Sequence, residues 1–290
     1  MNITAFNALA CPLDGNPLHR HDATWRCDAG HSFDIARDGY THLLPVQNKR
    51  SRDPGDSKEM VAARRRFLNA GFYQPAAAAI ARTVLADLPP QGSLNCLDAG
   101  CGEGYYLRQL AAAGAAVQTL AALGLDISKW AVQAAAKQNK QVNWVVGSNA
   151  NLPILAGSLD LVLCIFGFPV YGEFARVLKA DGQLLLVEAG PDHLRELRQI
   201  IYPTLKAGPA GEMAQAPGFY PHSSDTLSYS LQLNGAEQIA DLLAMTPHLY
   251  RASAEGRAKA AALTTLSVTV DIRLSLYRRD PADTGGQTPP

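Results

Sequence analysis

The sequence predicts an α/β fold: a mainly parallel sheet covered by helices on both faces, preceded by a small turn-rich module. Short, near-continuous apolar runs alternate with helical patterns from about Gln74 to Tyr202, and strands without polar alternation are those buried on both faces. A glycine-rich turn, Asp98-Ala-Gly-Cys-Gly-Glu-Gly104, separates one such run from a helix. The last regular segment, 266–277, instead alternates apolar and polar residues, the pattern of a half-exposed antiparallel strand near a sheet edge.

Within residues 1–48, turn formers and histidines surround two strand-like fragments, 24–27 and 31–35. Residues 49–75 are expected to form a basic linker and a helix, with Asp56 and Glu59 spaced as a capping box and Gly71 as its stop. Residues 76–279 form the main domain. Its alanine-rich helix 76–88 is stopped by Pro89-Pro90, and a short strand, 94–97, leads to the glycine turn and helix 105–113. Strand 120–125 ends at Asp126, Ser128 caps helix 129–139, and strands 142–146 and 159–166 follow. Helix 173–178, the turn Ala180-Asp-Gly182 and strand 184–187 come next. A loop rich in Gly, Pro and Ala (207–224), one more strand–helix pair and the alternating strand complete the domain. Residues 280–290 read as a disordered tail.

Composition narrows the function classes. Lys plus Arg and Asp plus Glu number 26 each, so global charge points to neither nucleic acid nor membrane. The N-terminus lacks a basic-then-apolar export pattern. The longest strongly apolar run, 161–170, is about half the ~20 residues of a membrane-spanning helix. Five cysteines without an export pattern are expected as reduced thiols. A cytoplasmic protein is expected, and the sequence leaves a homodimer open.

The glycine turn carries the chemistry. Glycines let a ligand approach the backbone, and the N–H groups at a helix start face it. The spacing is Gly-x-Gly-x-Gly, not the Gly-x-Gly-x-x-Gly of dinucleotide sites. Asp98 and Glu103 would repel a pyrophosphate but suit the ammonium and sulfonium of S-adenosylmethionine. Asp126, ending the next strand, is placed to take ribose hydroxyls. Ser148 follows the third strand, on the adenine side, where many relatives carry Asp. Asp98, Gly100, Gly102, Glu103, Gly104, Asp126 and Ser148 are therefore candidate cofactor residues of a Rossmann-like, class I S-adenosylmethionine-dependent methyltransferase.

Further wording narrows the substrate. Cys11-Pro-Leu, Cys27-x-x-x-His31-Ser-Phe-Asp34, Gly39-Tyr40 and Leu43-Leu-Pro-Val-Gln47 lead into Lys49-Arg-Ser-Arg-Asp-Pro-Gly-Asp56. Ala63-Arg-Arg65, Tyr73-Gln-Pro75, Gly100-Cys-Gly-Glu-Gly-Tyr-Tyr106, Gly190-Pro191, His193-Leu194, Met245-Thr-Pro247 and Arg251-Ala252 follow. From Cys11 to about Arg279 the chain resembles the bacterial 23S rRNA guanine-N1 methyltransferases (RlmA, or RrmA, with TlrB as a relative), closest to the Gram-negative branch. The resemblance implies methylation of N1 of a guanine in a 23S rRNA hairpin loop. It also implies a zinc-binding N-terminal module that helps recognise RNA, and it matches Tyr73, Gly102, Glu103 and His193 to cofactor positions. Without it, Tyr73 reads equally as an aromatic packing the domain junction.

Two departures stand out. The family's first Cys-x-x-Cys is Cys11-Pro-Leu-Asp14 here, followed by Cys27-Asp-Ala-Gly-His31. Cys11, Asp14, Cys27 and His31 are thus either a zinc site with a carboxylate in place of a thiolate, or a metal-free remnant whose cysteines pack. Phe166-Gly-Phe-Pro169 replaces the Asn/Asp-Pro-Pro-Tyr used on exocyclic amines, which is compatible with a ring-nitrogen target. No general base is legible; Asp53 and His193 are candidates only, and Glu188 matches no acidic family position. Lys49, Arg50, Arg52, Lys58, Arg64, Arg65 and Arg66 against Asp53, Asp56 and Glu59 give a local charge of +4, read as an RNA phosphate contact rather than a solvated helix face. Two rival readings are a small-molecule methyltransferase, and a non-catalytic RNA-binding or assembly protein on a degenerate cofactor fold.

Overall fold

A computed structural model describes residues 1–48, 51, 53–86, 92–114, 118–205, 213 and 215–281. The expected roles of Lys49, Arg50, Arg52, Pro89-Pro90 and nearly all of the 280–290 tail lie outside the described residues. In chain order the elements are β1 (Asn2–Ala5), β2 (His19–His21), β3 (Thr24–Arg26), β4 (Ser32–Asp34) and β5 (Tyr40–His42). Helices α1 (Lys58–Asn69) and α2 (Gln74–Ala86) precede β6 (Gly92–Ala99), α3 (Tyr105–Ala113), β7 (Gln118–Asp126), α4 (Lys129–Gln138), β8 (Asn143–Val146) and β9 (Leu159–Ile165). Then come α5 (Tyr171–Val177), β10 (Leu178–Ala189), α6 (Arg195–Ile201), β11 (Phe219–Asn234), α7 (Ala236–Ala244), α8 (His248–Arg251), α9 (Ala254–Ala261) and β12 (Thr265–Arg279).

The main sheet has nine strands in the order β11-β12-β10-β9-β6-β7-β8-β5, with β1 also on β7. Strands β6 to β10 run parallel, and β12 runs antiparallel to both β10 and β11. From β6 the chain winds outward through β7 and β8, then returns to the other side for β9 and β10. Adjacent loops therefore diverge at the carboxyl end of β6 and open a crevice there. One sheet face buries Leu120, Trp144, Leu163 and Val187 with the apolar faces of α2, α3 and α4. The other buries Leu97, Val162 and Leu184 with Phe174 of α5 and Trp25 of β3.

Helix α1 begins one residue later than the capping-box spacing predicts. The Ser57 hydroxyl accepts the Met60 N–H at 3.3 Å, while the Asp56 carboxylate is committed to Arg64. The predicted 180–182 turn is absorbed into β10, whose register with β9 shifts between Leu178 and Gln183. The predicted 207–224 loop is shorter than expected, because β11 starts at Phe219 and pairs with β12 as far as Arg279. The first part of β11 is exposed, so it lacks the apolar alternation that marks a strand.

Strands β1 and β5 are not legible in the sequence. β1 lies parallel to Thr119–Ala122 of β7, and β5 lies parallel to Trp144–Val146 of β8. Among the described residues, only β2, β3 and β4 form a sheet apart from the main one. The segment expected as a small separate module is woven into the large sheet at both ends. Among the described residues no helix is long and apolar enough to cross a membrane.

Candidate cofactor and metal sites

The glycine turn occupies the crevice at the end of β6. Gly100 N–H and Cys101 N–H both donate to Leu125 O, at 2.8 and 3.0 Å, tying the turn to β7. Gly100, Gly102 and Gly104 have φ of +95°, +54° and +81°, a region that side chains disfavour. Gly104 is further constrained from within, since a Cβ there would lie 2.5 Å from Trp144 Cη2.

Asp98 is 1% exposed, and neither of its carboxylate oxygens has a hydrogen-bond partner. Burial, reinforced by Asp126, pushes its pKa up to about 7. A buried, unpaired carboxylate is costly, and an ammonium seated beside it would remove the cost. A buried, unpaired carboxylate at the end of β6 thus suits the cationic end of S-adenosylmethionine. Asp126 Oδ2 accepts from Gly102 N–H at 3.0 Å and Oδ1 from Ser128 N–H at 2.8 Å. Burial raises its pKa, while these bonds and the Arg64 charge oppose the rise. Each oxygen keeps a lone pair for a ribose hydroxyl. Gly147 N–H donates to Asp126 O at 3.0 Å, which draws partly exposed Ser148 to the same rim. The Ser148 hydroxyl accepts from Ala150 N–H at 3.2 Å.

Glu103 differs from expectation. It is 1% exposed, and its carboxylate accepts from Arg108 at 3.0 and 3.2 Å and from Gln138 at 2.6 Å. Those partners, on α3 and α4, hold the side chain inside the fold, so it braces the turn instead of facing a ligand.

Tyr73, just before α2, and His193, between β10 and α6, come together. His193 Nδ1 lies 2.9 Å from Asp271 O and 3.3 Å from Asp271 N, and its Nε2 lies 3.4 Å from Tyr73 OH. Burial lowers the His193 pKa to about 4, so the ring is neutral. Phe166 closes the cluster, its ring centroid 6.3 Å from Tyr73 and 5.6 Å from His193. Phe166 and Leu194 have φ of +52° and +51°, strained values that concentrate at functional sites. Nothing in residue type announced a left-handed Phe166. Asp53, the other candidate base, is exposed and lines a shallow pocket with His42, Lys129 and Trp130.

The basic segment divides. Arg64 bonds the Asp56 carboxylate and donates to Met245 O at 3.0 Å. Arg66 forms a two-bond pair with Asp241 of α7, at 2.9 and 2.5 Å. Arg65 is exposed. The three arginines therefore sit differently: α1 packs on α7, Arg64 is drawn partly into the fold, and Arg65 and the Asp241-paired Arg66 stay exposed. Net charge in a window cannot reveal which helix face is covered.

The second site is at Cys11, Asp14, Cys27 and His31, whose ligand atoms lie within 4.8 Å of one another. His31 Nδ1 is 3.5 Å from Cys11 Sγ, 3.4 Å from Cys27 Sγ and 3.0 Å from Asp14 Oδ2, and Cys27 Sγ is 3.4 Å from Asp14 Oδ2. A tetrahedral zinc with bonds of about 2.0–2.3 Å has ligand–ligand edges of about 3.3–3.8 Å, so the donor set fits. Asn16 N–H binds Asp14 Oδ1 at 2.9 Å and leaves Oδ2 for the cluster. Burial raises the Cys11 thiol to about 11, and a bound cation would offset that cost by displacing the proton.

A sheet wound both ways from β6, with a glycine turn at the switch point and acidic residues ending β6 and β7, defines a Rossmann-like class I methyltransferase. Residues 96–182 match the family described as methyltransferase domain, and residues 9–52 match that described as RlmA, N-terminal, a zinc ribbon. A Micromonospora griseorubida protein named as a 23S rRNA (guanine-N1)-methyltransferase is 36% identical over 93% of this chain and 97% of its own length. The Bacillus subtilis protein YxjB, with the same activity in its name, is 31% identical over 92% and 95%. The Streptomyces fradiae 23S rRNA (guanine(748)-N1)-methyltransferase is 31% identical over 91% and 95%. The chain belongs to the 23S rRNA (guanine-N1)-methyltransferase family.

Proposed function

We propose that this protein methylates N1 of a guanine in a 23S rRNA hairpin loop, in the cytoplasm, with S-adenosylmethionine as donor. The observation that carries the reading is Asp98, a buried carboxylate without a partner at the switch point of a chain in this family. The cofactor supplies a methyl group already made electrophilic by its sulfonium, so the protein's task is placement. Asp98 meets the cationic end, the open face of Gly100 lets the ligand lie against the backbone, and Asp126 holds the ribose. Ser148 borders the adenine. Tyr73, Phe166 and neutral His193 wall the reaction side and keep water out. His193 Nε2 is already paired with the Tyr73 hydroxyl, and the ring's low pKa makes it a weak acceptor for the N1 proton, so it serves as a positioning residue.

Residues 1–48 act as the RNA-recognition module, 49–75 as the basic linker and 76–279 as the catalytic domain. The β2–β3 hairpin exposes His19, Arg20, His21 and Arg26, with His19 directly opposite Arg26, a basic face suited to phosphate. Zinc, held by Cys11, Asp14, Cys27 and His31, would supply structural cross-linking of that module. A loop guanine splayed from its neighbours presents N1 to the crevice.

Primer extension on 23S rRNA from cells with and without the gene tests the reading, because methylation at guanine N1 blocks pairing. A stop present with the gene, absent without it, and restored by the unaltered protein but not by Asp126→Ala is expected. Identical extension patterns with and without the gene would reject the proposal.

A further inference from the structure

Arg64 is the side chain that the RNA reading does not absorb. It projects from α1, yet its guanidinium is anchored on two other segments, by Asp56 and by Met245 O. A Cβ built on Gly102 would lie 3.6 Å from Arg64 Nη1, so nothing separates the guanidinium from the middle glycine of the turn. The Arg64 charge also acts on Asp126 and on Tyr106 in the first turn of α3. Helix α3 starts there without a side-chain cap, leaving its positive end open.

Charge complementarity then singles out a ligand group. The methionine end of S-adenosylmethionine carries an ammonium and a carboxylate. Asp98 and Asp126 at the crevice favour cations and repel that carboxylate. Arg108, the other cation beside the turn, is tied to buried Glu103. Arg64 is held rigidly in place and carries more N–H donors than its two bonds use. We propose that Arg64 binds the carboxylate of the cofactor's methionine moiety, between Gly102 and the start of α3. Helix α1 thereby becomes a wall of the cofactor site. This inference rests on the cofactor reading above.

Calorimetric titration with S-adenosylmethionine and with its decarboxylated analogue, which keeps the ammonium and sulfonium, separates the roles. The unaltered protein should prefer the full cofactor. Arg64→Gln should weaken S-adenosylmethionine binding roughly 10- to 100-fold, as loss of hydrogen bonds to a charged group does, and leave the analogue's affinity unchanged. Arg64→Lys, which keeps the charge but not the fork, should restore part of the preference. Equal weakening of both ligands would overturn the assignment in favour of a purely structural Arg64, and no weakening of either would overturn it outright. If the unaltered protein bound neither ligand, the cofactor reading would fall and this inference with it.

Discussion

Replacing Asp98 by Asn tests whether the crevice is built around a missing cation. Both oxygens of Asp98 lack partners in a fully enclosed position, and its pKa rises from 3.8 to about 7. Because the folded-state value is raised, the native protein holds a proton that the unfolded chain has released. Stability from this group is therefore present below about pH 4 and lost as pH rises through about 7. At about 1.4 kcal/mol per pKa unit the full loss is about 4 kcal/mol. An amide in the same place carries no charge but leaves its own donors unpaired, which costs about 1–3 kcal/mol. Without cofactor, Asp98→Asn should thus be about 1–3 kcal/mol more stable than the unaltered protein at pH 8, and no more stable at pH 4. Urea denaturation of both proteins across that range, taken as a difference, cancels the opposing contributions of His193 and Asp126. At 100 times its Kd, S-adenosylmethionine should stabilise the unaltered protein by about 2.7 kcal/mol and the variant much less. Parallel stability curves from pH 4 to 8 would refute the reasoning.

Asp126→Ala should stay folded and lose at least roughly 10-fold in affinity for S-adenosylhomocysteine; calorimetry showing unchanged affinity would remove Asp126 from the site. Gly104→Ala, forced into φ of +81° against Trp144, should lose about 2–4 kcal/mol of stability in urea. Asp14→Cys should release zinc to a colorimetric chelator more slowly than the unaltered protein, since thiolate suits zinc better than carboxylate; absence of copurifying zinc from both would reject the metal site. Arg66→Ala should cost at most about 1 kcal/mol, as exposed pairs do, and leave the salt dependence of RNA binding unchanged. Arg65→Ala should lower that salt slope by about 0.9, and a fall with Arg66→Ala instead would restore the phosphate role to Arg66.

The parallel core was legible because a strand buried on both faces is apolar almost throughout; 120–125 is wholly apolar, and 159–165 is interrupted only by Asp160. Helix α3 was found with its observed bounds, since Gly104 and Gly114 punctuate both ends. Legibility failed where a strand is held by pairing alone. Strands β1 and β5 are short, and the outer part of β11 is polar, so hydrogen bonds to a neighbour define them and no residue pattern does. In the cofactor site, residue types located Asp98 and Asp126 because each ends a recognisable strand. The inward turn of Glu103 depends on Arg108 and on Gln138 from α4, a tertiary partner. Arg64 shows the same dependence: its guanidinium is placed by Asp56 and by Met245 O, far apart in sequence. The left-handed conformation of Phe166 leaves no trace in residue identity at all.

The two strands that the N-terminal segment lends to the sheet change what a deletion would mean. Strand β8, with Trp144, Val145 and Val146 buried, has its outer edge sealed by β5. Cutting the chain after the zinc cluster's expected boundary would bare that edge, and bare apolar edges recruit other chains. The chain leaving β5 then passes to Asp56, whose carbonyl accepts the Ser128 hydroxyl at 2.7 Å, the same residue whose N–H orients Asp126. The N-terminal segment is thus not a detachable cassette. A truncated enzyme should aggregate before it shows altered specificity. Swapping the segment between relatives would require carrying the matching edge of β8 along with it.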